Sequence, residues 1–273
     1  MQFLKGVLIV VAVIYLLLLL ALYTFQRSVL YIPPSVYLTP DAVELNGAEE
    51  IYNLETDGEL LGWWLPPTEP SHPTVIYFHG NGSAVFSAND IYRTLNANGY
   101  GVFAVAYPGY PGRLGKPTQE SLVHAAAQGY DYLISQGVAP KTIVLYGTSL
   151  GAGVAAQLAT QRDAAVIIME APFTSAADMA QLSFPIFPAR ALTKDTFYSD
   201  RALSGLDIPL VWMHGTNDHV IPLSLGQKLY SDYGGPKSAH ILAGAEHNNV
   251  WYRGGDKIVL EALERLSATE SAR

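Results

Sequence analysis

The chain has 273 residues, of which 49% are hydrophobic and 15% charged, a composition that supports one large folded core and excludes a disordered chain. Its formal net charge of −8 leaves no basic stripe to meet phosphates, so no nucleic-acid partner is expected. It has no cysteine, which rules out disulfides, thiolate zinc sites, a cysteine nucleophile and cysteine-linked lipid anchors.

The first element is apolar. Residues 7–23, VLIVVAVIYLLLLLALY, are uncharged and reach the lower edge of the length that spans a bilayer as a helix. No small-x-small cleavage site follows, since Ala21-Leu-Tyr23 is succeeded by Thr-Phe-Gln, so the segment reads as an uncleaved signal-anchor over residues 1–25. With Lys5 before it and Arg27 after it, the expected arrangement is a single-pass membrane protein whose folded domain lies on the non-cytoplasmic side. Residues 26–48 hold Pro33, Pro34 and Pro40 among aromatics and are expected to form an extended linker lying on the domain.

Residues 49–273 are expected to form that domain. Segments 49–55 and 60–65 flank a turn at 56–59 and predict an antiparallel hairpin. From Thr74 apolar strands alternate with helical patterns. Strands are predicted at 74–78, 101–107, 142–146, 164–169, 208–213 and 238–242, with helices at 87–97, 118–135, 150–161, 223–233 and 257–265. Such continuous apolar strands imply a mainly parallel sheet covered by helices on both faces. One segment breaks the rhythm. Residues 173–206, including LSFPIFP at 182–188, read either as a core-packing helix and loop or as a cap-like insertion with an acyl-chain surface.

The stretch TIVLYGTSLGAG at 142–153 carries most of the chemistry. An apolar run ends at Gly147, Ser149 follows, and Gly151 opens an alanine-rich helix, which is the G-x-S-x-G nucleophile elbow. Flanking glycines remove Cβ atoms that would collide in so sharp a turn. The alternative is an ordinary strand-to-helix turn with Ser149 as N-cap. A serine nucleophile needs a base, and the base an orienting carboxylate. The strand at 208–213 runs into His214-Gly-Thr-Asn-Asp218, which makes Asp218 the candidate acid, or else a cap for the following helix. After strand 238–242 comes His247 on a glycine-containing loop, the candidate base, or else a surface histidine. His219 is the second choice as base, and His72, His79, His124, His214 and His240 read as structural. Backbone donors for an oxyanion are expected at Leu150, directly after the serine, and at Asn81 in His79-Gly-Asn-Gly82, with Gly82 as the fallback. No metal-ligand spacing is present and no cofactor is expected.

With these residues in place the chain resembles the alpha/beta-hydrolase superfamily. It is similar within it to the membrane-anchored group of bud-emergence-type and single-pass alpha/beta-hydrolase-domain proteins. The stretches that carry the likeness are QRSVLYIPP at 26–34, FHGNG at 78–82, YPGYPG at 107–112, GTSLG at 147–151, HGTND at 214–218 and GAEHNN at 244–249. The resemblance implies an alpha/beta-hydrolase fold with Ser149 as nucleophile, Asp218 as acid and His247 as base. The sequence departs from the group at Gly112-Arg-Leu-Gly115 and at Glu170-Ala171, which bears on substrate preference. The expected activity is hydrolysis of an ester or thioester of a small or lipid-like acyl substrate. Peptidase, acyltransferase or lyase chemistry on the same residues, and a non-catalytic membrane scaffold, are the alternatives.

Overall fold

Five residues in a row, Thr74–Phe78, are buried on both faces, and that demand for cover on two sides organises the molecule. The structure, a computed structural model, describes residues 1–53, 58–69 and 72–271. Its elements in chain order are α1 (Gln2–Leu30), β1 (Glu49–Asn53), β2 (Glu59–Leu65), β3 (Thr74–Phe78), α2 (Asn89–Ala97), β4 (Gly101–Val105), α3 (Gln119–Ser135), β5 (Ile143–Thr148) and α4 (Leu150–Leu158). They continue with β6 (Val166–Glu170), α5 (Ala176–Ser183), α6 (Ala189–Leu192), α7 (Ser199–Leu203), β7 (Leu210–Gly215), α8 (Leu223–Asp232), β8 (Lys237–Leu242) and α9 (Gly255–Ser271). Residues 54–57, which hold the end of the predicted first strand and half of the predicted hairpin turn, lie outside the described residues.

Among the described residues the sheet has eight strands in the order β1-β2-β4-β3-β5-β6-β7-β8. The β1–β2 and β2–β4 pairs are antiparallel, and the pairings from β4 through β8 are parallel. Alternate residues feed two cores. Ile76 and Phe78 pack with residues of α3 and α4, including Leu122 and Val154. Val75 and Tyr77 pack on the opposite face with residues of α2 and α9, including Tyr92 and Val259. The chain steps outward from β3 to β4, then returns to lay β5 on the other side of β3. Strand order therefore reverses between β3 and β5, and a crevice above their carboxyl ends is where open α/β sheets bind ligands.

Helix α1 has 29 residues, about 43 Å at 1.5 Å per residue, and none of them is buried. By length and composition it is a candidate membrane span. It also corrects the expected boundary at residue 25. Residues 26–30 continue the helix, because the first proline comes only at 33 and the last turn is pinned from the side. Gln26 Nε2 donates to the Leu192 carbonyl (3.2 Å), Gln26 Oε1 accepts from the Lys194 N–H (2.7 Å), and Arg27 binds both carboxylate oxygens of buried Asp195 (2.7 and 3.2 Å). Those partners belong to the segment between β6 and β7, which carries α5, α6 and α7.

Candidate active site

Strand β5 delivers Ser149 to the crevice in a conformation that L-residues rarely adopt, φ 55° and ψ −117°. Such backbone costs about 1–3 kcal/mol and persists only where neighbours over-determine it. Here the Ser149 N–H donates to the Glu170 carbonyl (2.9 Å), and the Ser149 carbonyl accepts from the Ala152 N–H (3.0 Å). The flanking glycines are compulsory. A Cβ on Gly147 would meet the Gly151 carbonyl oxygen at 2.2 Å, and one on Gly151 would meet the Phe78 carbonyl oxygen at 1.9 Å. The Ser149 side chain makes no capping hydrogen bond to α4, so its hydroxyl is available to other partners.

That partner is His247, whose Nε2 lies 3.1 Å from Ser149 Oγ. The other ring nitrogen, Nδ1, lies 2.7 Å from Asp218 Oδ2. Asp218 is held from three sides. Its Oδ1 accepts from the backbone N–H groups of Val220 (2.9 Å) and Ile221 (2.8 Å), and its Oδ2 also lies 3.2 Å from His214 Nε2. Burial alone would push this carboxyl up. Hydrogen bonds from His214, His247 and the Ile221 N–H outweigh it and hold the pKa well below the carboxylate range. The carboxylate is then an acceptor only, so His247 Nδ1 carries the proton and Nε2 presents its lone pair to Ser149.

The loop after β3 passes beside the serine, since a Cβ on Gly80 would come 3.6 Å from Ser149 Cβ. Asn81 is anchored there through its side-chain oxygen, which accepts from the Ile32 N–H and the Tyr110 hydroxyl, both at 2.9 Å. Leu150 is the first residue of α4, where a helix leaves its N–H groups without intrahelical acceptors. Asn81, Ser149 and Leu150 all line one cavity of about 310 Å³. Leu19, Leu22 and Leu30 of α1 form one wall of that cavity, and Met179, Phe184 and Phe187 form another.

The remaining histidines fall elsewhere. His219, which adjoins Asp218 in sequence, is exposed, and the ring within hydrogen-bond distance of Ser149 is that of His247. His79 is buried against Tyr107 and Tyr110, and burial lowers its pKa to about 4, leaving it a neutral packing residue. Sequence reasoning missed two residues. His214 reads as structural, yet its ring is the acid's second imidazole neighbour; its place four residues before Asp218, at the end of an apolar strand, was the available signal. Glu170 is a buried acid ending the apolar strand β6, directly behind the elbow. Burial pushes its carboxyl from the usual 4.5 up to about 7, against hydrogen bonds from the Tyr146 hydroxyl and the Trp251 N–H and the field of nearby His247.

Comparison with known proteins agrees with the fold. Residues 75–207 match the model of a family described as the alpha/beta hydrolase family. The Mycobacterium tuberculosis protein named "Uncharacterized protein Rv2307c" is 30% identical over 250 residues, covering 90% of this chain and 88% of that one. The zebrafish (Danio rerio) lysophosphatidylserine lipase ABHD12 is 30% identical over 198 residues, 64% of this chain but only 51% of the relative, so this chain matches about half of that protein. Among solved structures, the Pyrococcus furiosus esterase Pf2001 superposes with a TM-score of 0.67 at 18% identity, over 86% of this chain and 98% of that one. The chain belongs to the alpha/beta-hydrolase superfamily, and carries an N-terminal apolar helix ahead of the hydrolase fold.

Two predictions follow from this geometry. Gly151→Ala forces a methyl group into the Phe78 carbonyl and should lower Tm by roughly 10 °C; a wild-type melting curve would contradict the close packing described. Glu170 has a folded pKa above its unfolded one, so the unfolded chain gives up this proton first and stability falls as pH rises from about 4.5 to 7. Glu170→Gln should remove a loss on the order of 3 kcal/mol, seen as a flatter Tm between about pH 5 and pH 8. An unchanged slope would show that Glu170 ionises as readily in the fold as outside it.

Proposed function

We propose that the protein is a membrane-anchored serine hydrolase that cleaves an ester or thioester of a lipid-like acyl substrate through an acyl-Ser149 intermediate. The observation that carries this reading is the unbroken relay from Ser149 Oγ to His247 (3.1 Å) to Asp218 (2.7 Å), with the serine held at positive φ. His247 Nε2 takes the hydroxyl proton as Oγ attacks the carbonyl carbon. The N–H groups of Asn81 and Leu150 stabilise the oxyanion, and Asp218 stabilises the imidazolium. His247 then returns the proton to the departing alcohol or thiol. A water molecule, deprotonated by the same nitrogen, attacks the acyl-serine and releases the acid.

A lipid-like substrate is supported by the apolar cavity above Ser149 and by the name of the ABHD12 relative, a lysophosphatidylserine lipase. Membrane anchoring is supported by the exposed apolar side chains along α1, such as Leu8, Ile14 and Leu20. The residues between β6 and β7 act, on this reading, as a cap over the site.

Ser149→Ala should abolish labelling by a fluorophosphonate probe and reduce ester turnover to background; retained labelling would refute the assignment. Asp218→Asn removes the charge that fixes the His247 tautomer and should lower kcat by roughly 10³–10⁴-fold. His219→Ala, by contrast, should leave kcat within about twofold, since this ring lies on the exposed side of the loop.

A further inference from the structure

The partly buried residues of α1 are Tyr15, Leu19, Leu22, Gln26 and Leu30, at intervals of three and four, so they lie on one face of the helix. That face meets the segment between β6 and β7. Tyr15 stacks on Phe187 with ring centroids 4.9 Å apart, and its hydroxyl donates to the Ile186 carbonyl (3.0 Å). The neighbouring Leu16, Leu17, Leu18 and Leu20 are all exposed by more than half, as a lipid-facing surface would be.

The contacts sort by height along the helix. Charged ones gather at its C-terminal end, where Lys194 Nζ sits 4.2 Å over the Tyr23 ring and Arg27 pairs with Asp195. An aromatic ring, a lysine and an arginine together suit the headgroup level of a bilayer. Tyr15 lies eight residues deeper, about 12 Å along the helix axis. One leaflet's share of a hydrocarbon core is about 15 Å. Ile186, whose carbonyl accepts from the Tyr15 hydroxyl, therefore lies at hydrocarbon depth, and its apolar side chain is 71% exposed; Leu182 of the same tip is 57% exposed. The cavity between this segment and α1 descends from Ser149 toward the same depth, with Leu19 and Phe187 among its walls.

We infer that α1 is a wall of the acyl site as well as an anchor, and that the Leu182–Pro188 tip is immersed in the adjoining leaflet so that a membrane-resident ester reaches Ser149 from the hydrocarbon. The reading rests on the hydrolase assignment above and adds the route and the occupant. The cavity of about 310 Å³, walled largely by apolar side chains, is the space such an acyl chain would occupy. The ester carbonyl stops at Ser149 near headgroup level while its chain follows Leu22 and Leu19 downward. The anchor and the oxyanion loop are tied together as well, because the Ile32 N–H, two residues beyond α1, donates to Asn81 Oδ1.

The test uses the full chain in phosphatidylcholine vesicles. Because the sequence has no cysteine, Ile186→Cys and Lys141→Cys each give a single nitroxide site, the second on an exposed residue at the opposite, amino-terminal edge of β5. The label at 186 should collide with dissolved oxygen and be shielded from an aqueous nickel chelate, and the label at 141 should do the reverse. In parallel, Leu22→Trp fills the channel and should lower the ratio of kcat/KM for p-nitrophenyl decanoate over p-nitrophenyl acetate by about tenfold or more. An aqueous profile at 186, or a ratio within about twofold of wild type, overturns the inference. If Leu22→Trp does not fold, the label at 186 decides alone. A wild-type chain that neither hydrolyses these esters nor reacts with a fluorophosphonate instead refutes the hydrolase assignment, which the nitroxide measurement does not depend on.

Discussion

The whole site depends on a backbone constraint, the positive-φ turn at Ser149 between two residues that cannot carry a Cβ. Gly151 sits 1.9 Å, in Cβ terms, from the Phe78 carbonyl, so the helix α4 starts in contact with the end of β3. That contact brings the helix N-terminus, the serine and the Gly80-Asn81 loop into one corner. The corner lies where strand order reverses, so no neighbouring crossover covers it. Strain of this kind is found at functional sites, which supports the role proposed for the Ser149 hydroxyl.

Electrostatics then set the protonation states. Asp218 is almost fully buried, a cost that two backbone N–H groups and two imidazoles offset together. The Asx-type turn through Val220 and Ile221 fixes the carboxylate, and the carboxylate fixes the tautomer of His247. A helix-capping role, the other reading open to Asp218, is not what its oxygens do. They bind the loop ahead of α8, whose N-cap is Pro222. Behind the serine, Glu170 adds a second buried carboxyl in the opposite condition, neutral below about pH 7 and hydrogen-bonded by Tyr146. Its backbone carbonyl also holds the Ser149 N–H, so the residue that departs from the group's usual pattern is in contact with the elbow.

The parts legible in the sequence were those encoded locally. The elbow is twelve consecutive residues, and the central parallel strands are largely apolar runs whose order the βα alternation restricts to few arrangements. Asp218 and His247 could be named as candidates because each lies on the loop that follows a strand. His214 could not be assigned to the acid, since a buried histidine bonding to backbone looks the same in a sequence as one that also faces a carboxylate. Helix α1 was legible as an apolar run, but not its docked face. Tyr15, Leu19 and Leu22 sit in the same apolar run as their exposed neighbours, and only the folding of residues more than 160 positions away, Ile186 and Phe187 against Tyr15, sets their face apart. The same distance hid the helical state of residues 26–30, held by Leu192, Lys194 and Asp195.

Fold, electrostatics and the N-terminal helix thus converge on one hydroxyl that opens on an apolar cavity. The most direct test is to react the full chain with a fluorophosphonate, digest it and locate the added mass by peptide sequencing. The account predicts a single phosphonyl group, on the peptide containing Ser149 and assigned to that residue. Modification at any other serine, or none on folded protein, would contradict it.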